Sequence, residues 1–128
     1  MNKFFKVAEA IANTSLFPRV HIGACLVKKK AVISVGVNSQ KSHPLQKRYN
    51  KFRNLDQDIH HFLHAELDAL IRTNEDLTGA EVFVFRRNRR GELAIARPCA
   101  ACAAALIDRG IKKVHYTTDI GIATEVYD

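Results

Sequence analysis

The sequence of 128 residues contains only three cysteines, no tryptophan and no long apolar run. Three cysteines are too few for the disulfide framework of a small secreted domain. No stretch approaches the roughly 20 apolar residues that span a bilayer. Near the N-terminus, Lys6 and Glu9 interrupt what would be the apolar segment of a signal peptide. We therefore expect a soluble protein of the reducing cytoplasm with no membrane partner.

The composition is that of a globular protein with a basic surface. Hydrophobic residues make up 47% of the chain, which is too much for extended disorder. The length suits a single domain over residues 1–128. Twenty Lys and Arg against thirteen Asp and Glu give a formal net charge of +7. Such a charge attracts a nucleotide or nucleic acid, but it is equally compatible with a solvated basic surface.

Hydrophobic periodicity predicts helices and strands in the order αββαβ(β)αβ. The predicted helices cover residues 3–13, residues 63–73 and the segment that Pro98 opens and Gly110 ends. The predicted strands cover residues 20–27, 31–37, 81–85, 93–96 and 111–117. From Asn38 to about Ile59 the pattern dissolves, and we predict a long polar loop. The order indicates an α/β fold in which helices cover a mixed sheet of about five strands, beginning with an antiparallel hairpin.

Two short motifs carry metal-binding chemistry, and both fall at the start of a predicted helix. They are His64-Ala65-Glu66 and Pro98-Cys99-Ala100-Ala101-Cys102. Cys99 and Cys102 are three residues apart on a first helical turn, so both can bind one ion. The positive end of the helix dipole favours the thiolate form that zinc requires. With His64 as the third ligand, the fourth tetrahedral position stays open to water, as in catalytic zinc sites.

Glu66 is the candidate catalytic residue beside this ion. It lies about 200° around an ideal helix from His64, so both can serve one centre only at a helix end. A carboxylate close to zinc but not bound to it can take a proton from water and pass it to a ring nitrogen and then to leaving ammonia. The combination of these two motifs is the recorded signature of zinc deaminases.

Each motif has a simpler interpretation when it is taken alone. A Cys-x-x-Cys pair also occurs in redox proteins and in structural zinc sites, and His-x-Glu is common by chance. Cys25 could add a fourth ligand and close the site against water. However, Cys25 lies in an apolar predicted strand, where a buried free thiol is the usual outcome.

Nearly the whole chain resembles the zinc-dependent cytidine deaminase superfamily, and within it the deoxycytidylate deaminase-like branch, which includes small phage-encoded members. The resemblance implies a three-layer α/β/α sandwich and one catalytic Zn²⁺ ion. It implies that His64, Cys99 and Cys102 are the metal ligands and that Glu66 is the proton shuttle. A uracil-type product and a homo-oligomer are also implied.

The resemblance also implies two substrate-binding positions. Val35-Gly36-Val37-Asn38 is similar to the glycine-x-asparagine that contacts base and sugar in this superfamily, although Asn38 could simply close a strand. The backbone of Ala65 matches the position that contacts the base edge. Some members carry further ligands for a second zinc. Here only His43, His60 and His61 are available, with no spare cysteine, and we expect one ion.

The predicted reaction is the hydrolytic deamination of a cytosine-type nucleotide, dCMP to dUMP. Basic residues of the long loop could reach its phosphate; they are Lys41, Lys47, Arg48, Lys51 and Arg53. Three alternatives stay open: a nucleoside deaminase, a deaminase of tRNA or single-stranded DNA, and a non-catalytic zinc-stabilised binding module. If the substrate is a polynucleotide, the Arg86–Arg90 turn would bind the phosphate backbone of the nucleic acid. The lack of Trp disfavours it, because single-strand binding depends on exposed aromatic rings.

Overall fold

A computed structural model describes residues 2–53 and 62–127. These residues form the helices α1 (Lys3–Ala12), α2 (Pro44–Tyr49), α3 (Ala65–Ile71) and α4 (Ala100–Asp108), with a 3-10 turn at Asn50–Phe52. The strands are β1 (His21–Lys28), β2 (Ala31–Val37), β3 (Glu81–Arg87), β4 (Lys113–Thr117) and β5 (Ile122–Val126). They make one sheet in the order β2-β1-β3-β4-β5, with β3 and β4 parallel and the other neighbours antiparallel. The predicted mixed sheet of five strands is confirmed.

The alternation of side chains along β1 and β3 divides the core into two layers. Cys25, Val27, Phe83 and Phe85 face one side and pack against Phe5, Ala8 and Ala12 of α1. Ala24, Leu26, Val82 and Val84 face the other side and pack with the apolar residues of α3 and α4. Helices therefore cover both faces of the sheet, and the predicted three-layer α/β/α sandwich is confirmed.

Two glycines let these helices approach the sheet at backbone distance. A Cβ atom on Gly23 would lie 2.1 Å from the carbonyl oxygen of Ala8 in α1. On the opposite face, a Cβ atom on Gly36 would lie 2.3 Å from both the carbonyl oxygen of Ala65 and the nitrogen of Ala69 in α3. Gly36 thus determines how closely the first turn of α3 lies on β2.

The predicted loop from Asn38 to about Ile59 is wrong over residues 44–52. Pro44 begins α2, and the Nδ1 atom of His43 caps that helix by accepting a hydrogen bond from the Leu45 nitrogen at 3.0 Å. A helix of six residues is too short to give a clear hydrophobic period, so the pattern is not visible in the sequence. Residues 54–61, with His60 and His61, lie outside the described part of the chain.

Two strands and the start of one helix also differ from the prediction. The predicted strand at 93–96 is wrong: in the described chain it amounts to one bridge between Arg87 and Leu93. β1 and β4 already occupy the edges of β3, which leaves little room for a further strand. Pro98 precedes the third predicted helix, because Cys99 is extended and serves as the N-cap of α4. Strand β5, near the C-terminus, was not predicted. Within the described residues, no helix has the length and apolar character to cross a membrane.

Replacing Gly36 with alanine should destabilise the fold, because the added methyl group collides with backbone atoms that cannot rotate away. We expect the free energy of unfolding to fall by at least about 2 kcal/mol. Gly91→Ala is the control, since Gly91 has a positive φ of 80° but open space around it. That strain alone should cost about 1 kcal/mol. Equal losses in urea denaturation of the two variants would contradict the close-approach explanation.

Candidate metal centre

The three predicted ligand side chains meet where α3 and α4 begin. His64 and Cys99 are the N-cap residues of these helices, with extended backbones at ψ 153° and 170°. The Nδ1 atom of His64 lies 3.2 Å from the Cys102 sulfur and 3.5 Å from the Cys99 sulfur. All three ligand atoms are within 4.8 Å of one another. Zinc bonds of about 2.0 Å to nitrogen and 2.3 Å to sulfur separate tetrahedral ligands by about 3.5 Å, so the donor set fits this ion.

The pKa values of the two cysteines shift in opposite directions. A hydrogen bond from Cys102, helped by one from His64, lowers the pKa of the Cys99 thiol to about 3 against the opposing effect of burial. Burial and the proton given to Cys99 hold the pKa of Cys102 well above its ordinary value. Burial also acts to lower the pKa of His64, but the hydrogen bond to Cys99 and the charge of Glu66 raise it overall. These interactions favour the thiolate form of Cys99, which is the form that zinc binds.

Glu66 lies on the first turn of α3, beside the three converging groups. Glu66 is only 5% exposed. Burial raises the pKa of its carboxyl group, although the neighbouring His64 opposes that shift. A carboxyl group with a raised pKa holds a proton more readily than an exposed one, which suits a group that must accept a proton and then release it. His64 and Glu66 would point in different directions within a regular helix. They can lie at one centre here because His64 is the N-cap residue and Glu66 is on the first turn.

A buried glutamine that the sequence did not single out holds the histidine in place. Gln46 of α2 has no exposed surface, and its Oε1 atom accepts a hydrogen bond from the backbone nitrogen of His64 at 3.0 Å. Its Nε2 atom donates to the Oδ1 atom of Asn50 at 2.8 Å. The segment predicted as loop therefore anchors the start of α3. A lone glutamine carries no sequence signal for this role.

A pocket of about 350 Å³ opens over the centre, large enough for a small ligand. Its walls combine apolar, aromatic and basic side chains with one acidic group, Glu66. The described lining residues are Phe17, Val20, Ile22, Asn38, Arg53, Phe62, Leu63, His64, Glu66, Arg86, Ala96, Arg97 and Cys99. Of the five basic residues predicted to reach a phosphate, only Arg53 is among them.

Asn38 reaches the pocket, but most of its side chain is engaged within the protein. Its Oδ1 atom accepts hydrogen bonds from the Ser15 hydroxyl at 2.7 Å and the Ile22 nitrogen at 3.0 Å. Its Nδ2 atom donates to the Val20 carbonyl at 3.0 Å, and an amide nitrogen has a second N–H to donate. Asn38 therefore joins the end of β2 to the start of β1. Substrate contact by Asn38 and by the buried Ala65 stays a prediction.

Cys25 does not take part in the cluster of ligands. It lies on the α1 side of β1, packed among apolar residues, whereas the centre is on the α3 side. Burial raises the pKa of its thiol to about 11, which keeps it protonated. The alternative of a closed site with four protein ligands is therefore wrong for Cys25.

Comparisons with known proteins agree with this geometry. A family model described as "Cytidine and deoxycytidylate deaminase zinc-binding region" matches residues 1–118. The Aliivibrio fischeri protein "Uncharacterized deaminase in luxG 3'region" is 30% identical over 118 residues, covering 88% of this chain and 69% of that protein. Human deoxycytidylate deaminase is 29% identical over 122 residues, covering 91% of this chain and 63% of the human protein.

A solved structure extends the likeness to three dimensions. The crystal structure of dCMP deaminase from the cyanophage S-TIM5, in complex with dCMP and dUMP, matches with a TM-score of 0.62 and 25% identity. The match covers 91% of this chain and 82% of the cyanophage chain. The chain thus spans most of the phage enzyme but less than two thirds of the human one.

Removing one ligand thiol should release zinc, whereas removing the distant thiol should not. We expect Cys99→Ala to reduce the zinc content from one ion per chain to a small fraction, because two ligands hold the ion poorly. The melting temperature should fall as well, since metal binding adds to folding stability. Cys25→Ala is the matched control, and metal analysis of both purified variants is the measurement. Zinc loss in the folded Cys25→Ala variant would restore Cys25 as a ligand.

Proposed function

This chain belongs to the cytidine and deoxycytidylate deaminase family of zinc hydrolases, and we propose that it deaminates a cytosine-type nucleotide, converting dCMP to dUMP. The observation that carries the proposal is one imidazole nitrogen and two sulfur atoms converging beside a buried carboxyl group at the base of a pocket. The cyanophage enzyme, which was crystallised with dCMP and dUMP, supports a nucleotide substrate. The basic side chains in the pocket wall support an anionic one.

His64, Cys99 and Cys102 would hold the zinc ion. When bound, such an ion supplies Lewis-acid activation of water at neutral pH. The water oxygen adds to C4 of the base, the bond from C4 to the exocyclic nitrogen breaks, and ammonia leaves. Glu66 takes the proton that the water loses and delivers it to N3 of the ring. It then transfers the remaining proton of the added hydroxyl group to the departing amine, which leaves a carbonyl group at C4.

The surrounding residues would orient the base and limit the access of bulk water. The second N–H of the Asn38 amide and the backbone of Ala65 are the groups proposed to bind the substrate. Phe17 and Phe62 contact each other edge to face, with ring centroids 5.5 Å apart, and form an apolar part of the pocket wall. An apolar wall beside a buried carboxyl group strengthens the electrostatic interactions of the reacting groups.

Replacing Glu66 with glutamine should abolish turnover without releasing the metal. The amide has almost the same shape but cannot accept a proton, so we expect kcat to fall by about 1,000-fold or more. Zinc content and melting temperature should stay close to those of the unchanged protein. Glu92→Gln, at an exposed position on the turn after β3, is the control and should keep full activity. A Glu66→Gln variant that kept most of its activity would remove Glu66 from the proton-shuttle role.

A substrate panel tests the proposed reaction directly. The zinc-loaded protein is incubated with dCMP, CMP, deoxycytidine, cytidine and a single-stranded oligodeoxynucleotide, and ammonia release is followed. We expect kcat/KM for dCMP to exceed that for deoxycytidine by about 100-fold, since bonds to a charged group contribute about 1.5–3 kcal/mol. Turnover of the nucleosides alone, or of the oligonucleotide alone, would overturn the proposed substrate. Absence of ammonia release from every compound would favour the binding-module alternative.

A further inference from the structure

Two consecutive arginines end strand β3, and strand geometry sends them to opposite faces of the sheet. Arg87 points to the α1 side, as Phe83 and Phe85 do. There its guanidinium group forms an ion pair with Glu9 of α1 and lies 5.0 Å from the centroid of the Phe85 ring. The charge of Arg87 therefore has a carboxylate partner within the protein.

Arg86 points to the other face, as Val82 and Val84 do, and lines the pocket over the metal centre. Its Nη1 atom donates a hydrogen bond to the Ile95 carbonyl at 3.3 Å. Its Nε atom is buried, and no acceptor within the described part of the chain reaches it. Among the ion pairs of the described residues, none includes Arg86. Arg86 is a half-buried cation with no carboxylate partner in the described chain, so its position in the pocket wall favours an anionic ligand.

The other two arginines of the pocket are placed differently. Arg97 makes a two-point contact with Glu125, at 2.6 Å from Nε and 3.2 Å from Nη2, so its charge is already matched. The Nη1 atom of Arg53 lies 3.5 Å from the Nε2 atom of His64, at the metal centre itself. Arg86 is thus the pocket arginine whose guanidinium group has neither a carboxylate partner nor a contact with a ligand side chain in the described chain.

We propose that Arg86 determines specificity by binding the phosphate of a 5′-phosphorylated pyrimidine nucleoside. This assignment rests on the proposed function. A phosphate group supplies the counter-charge and the acceptor oxygens for the Nη groups of Arg86. The planar guanidinium can donate two parallel hydrogen bonds to such a group, a geometry that lysine cannot reproduce. A nucleoside has no phosphate and cannot form this interaction, so Arg86 discriminates between nucleotides and nucleosides.

The test compares Arg86→Met, which keeps an apolar side chain of similar length, with Arg90→Met on the exposed part of the same turn. For the zinc-loaded proteins, we expect Arg86→Met to lower kcat/KM for dCMP by about 100-fold, mainly through KM. Its kcat/KM for deoxycytidine should not change. Arg90→Met should leave both values unchanged, and Arg86→Lys should recover only part of the activity on dCMP.

Binding of the product gives a second readout that needs no turnover. Calorimetry should show that Arg86→Met weakens dUMP binding about 100-fold and leaves deoxyuridine binding unchanged. Equal losses for phosphorylated and unphosphorylated ligands would assign Arg86 to support of the pocket wall and overturn the proposal, as would no loss at all. If Arg86→Met does not fold, Arg86→Lys is used instead, and its loss of dUMP binding is compared with its loss of deoxyuridine binding. Failure of the unchanged protein to deaminate dCMP would refute the proposed function, while the dUMP measurement would still test Arg86.

Discussion

The closeness of α3 to β2 at Gly36 is the constraint on which the site depends. The helix backbone lies directly on the strand there, at a distance that leaves no room for a side chain. That contact determines where the first turn of α3 begins, and this turn carries Glu66 and follows His64. Asp68 reinforces the same junction, because its Oδ2 atom accepts a hydrogen bond from the Val37 nitrogen at 2.9 Å. The positions of His64 and Glu66 are therefore set by how the backbone of α3 packs on β2.

Helices α3 and α4 begin without the side-chain hydrogen bonds that usually cap a helix. N-cap positions usually carry a side chain that bonds to the first helical N–H groups, and such a cap contributes about 1 kcal/mol. His64 and Cys99 occupy these positions without making those bonds. Their side chains point instead toward the shared metal position. The compensation comes from metal binding and from Gln46, whose buried amide bonds to the His64 backbone.

The two arginines at the end of β3 have different partners on the two faces of the sheet. Adjacent arginines at the end of β3 meet a carboxylate on the α1 face and a pocket on the α3 face. A single step along the strand thus separates a structural ion pair from a cation that is available to a ligand. The basic net charge of the sequence could not distinguish between these roles, because it counts charges without their partners.

Much of this protein was determined by local sequence. α1 shows a helical period, and β1 and β2 are apolar runs on either side of a basic turn. The two motifs at His64 and Cys99 specify the chemistry of the metal ligands. The tertiary structure decided what short or isolated residues do: α2 is too brief to show a period, Gln46 has no motif, and Asn38 is engaged by Ser15 and Ile22. It also decided that Cys25 faces away from the centre and Arg86 toward the pocket. The physical reason is that a repeating pattern records which residues are buried, whereas a single polar side chain acquires its role only from the groups that folding places beside it.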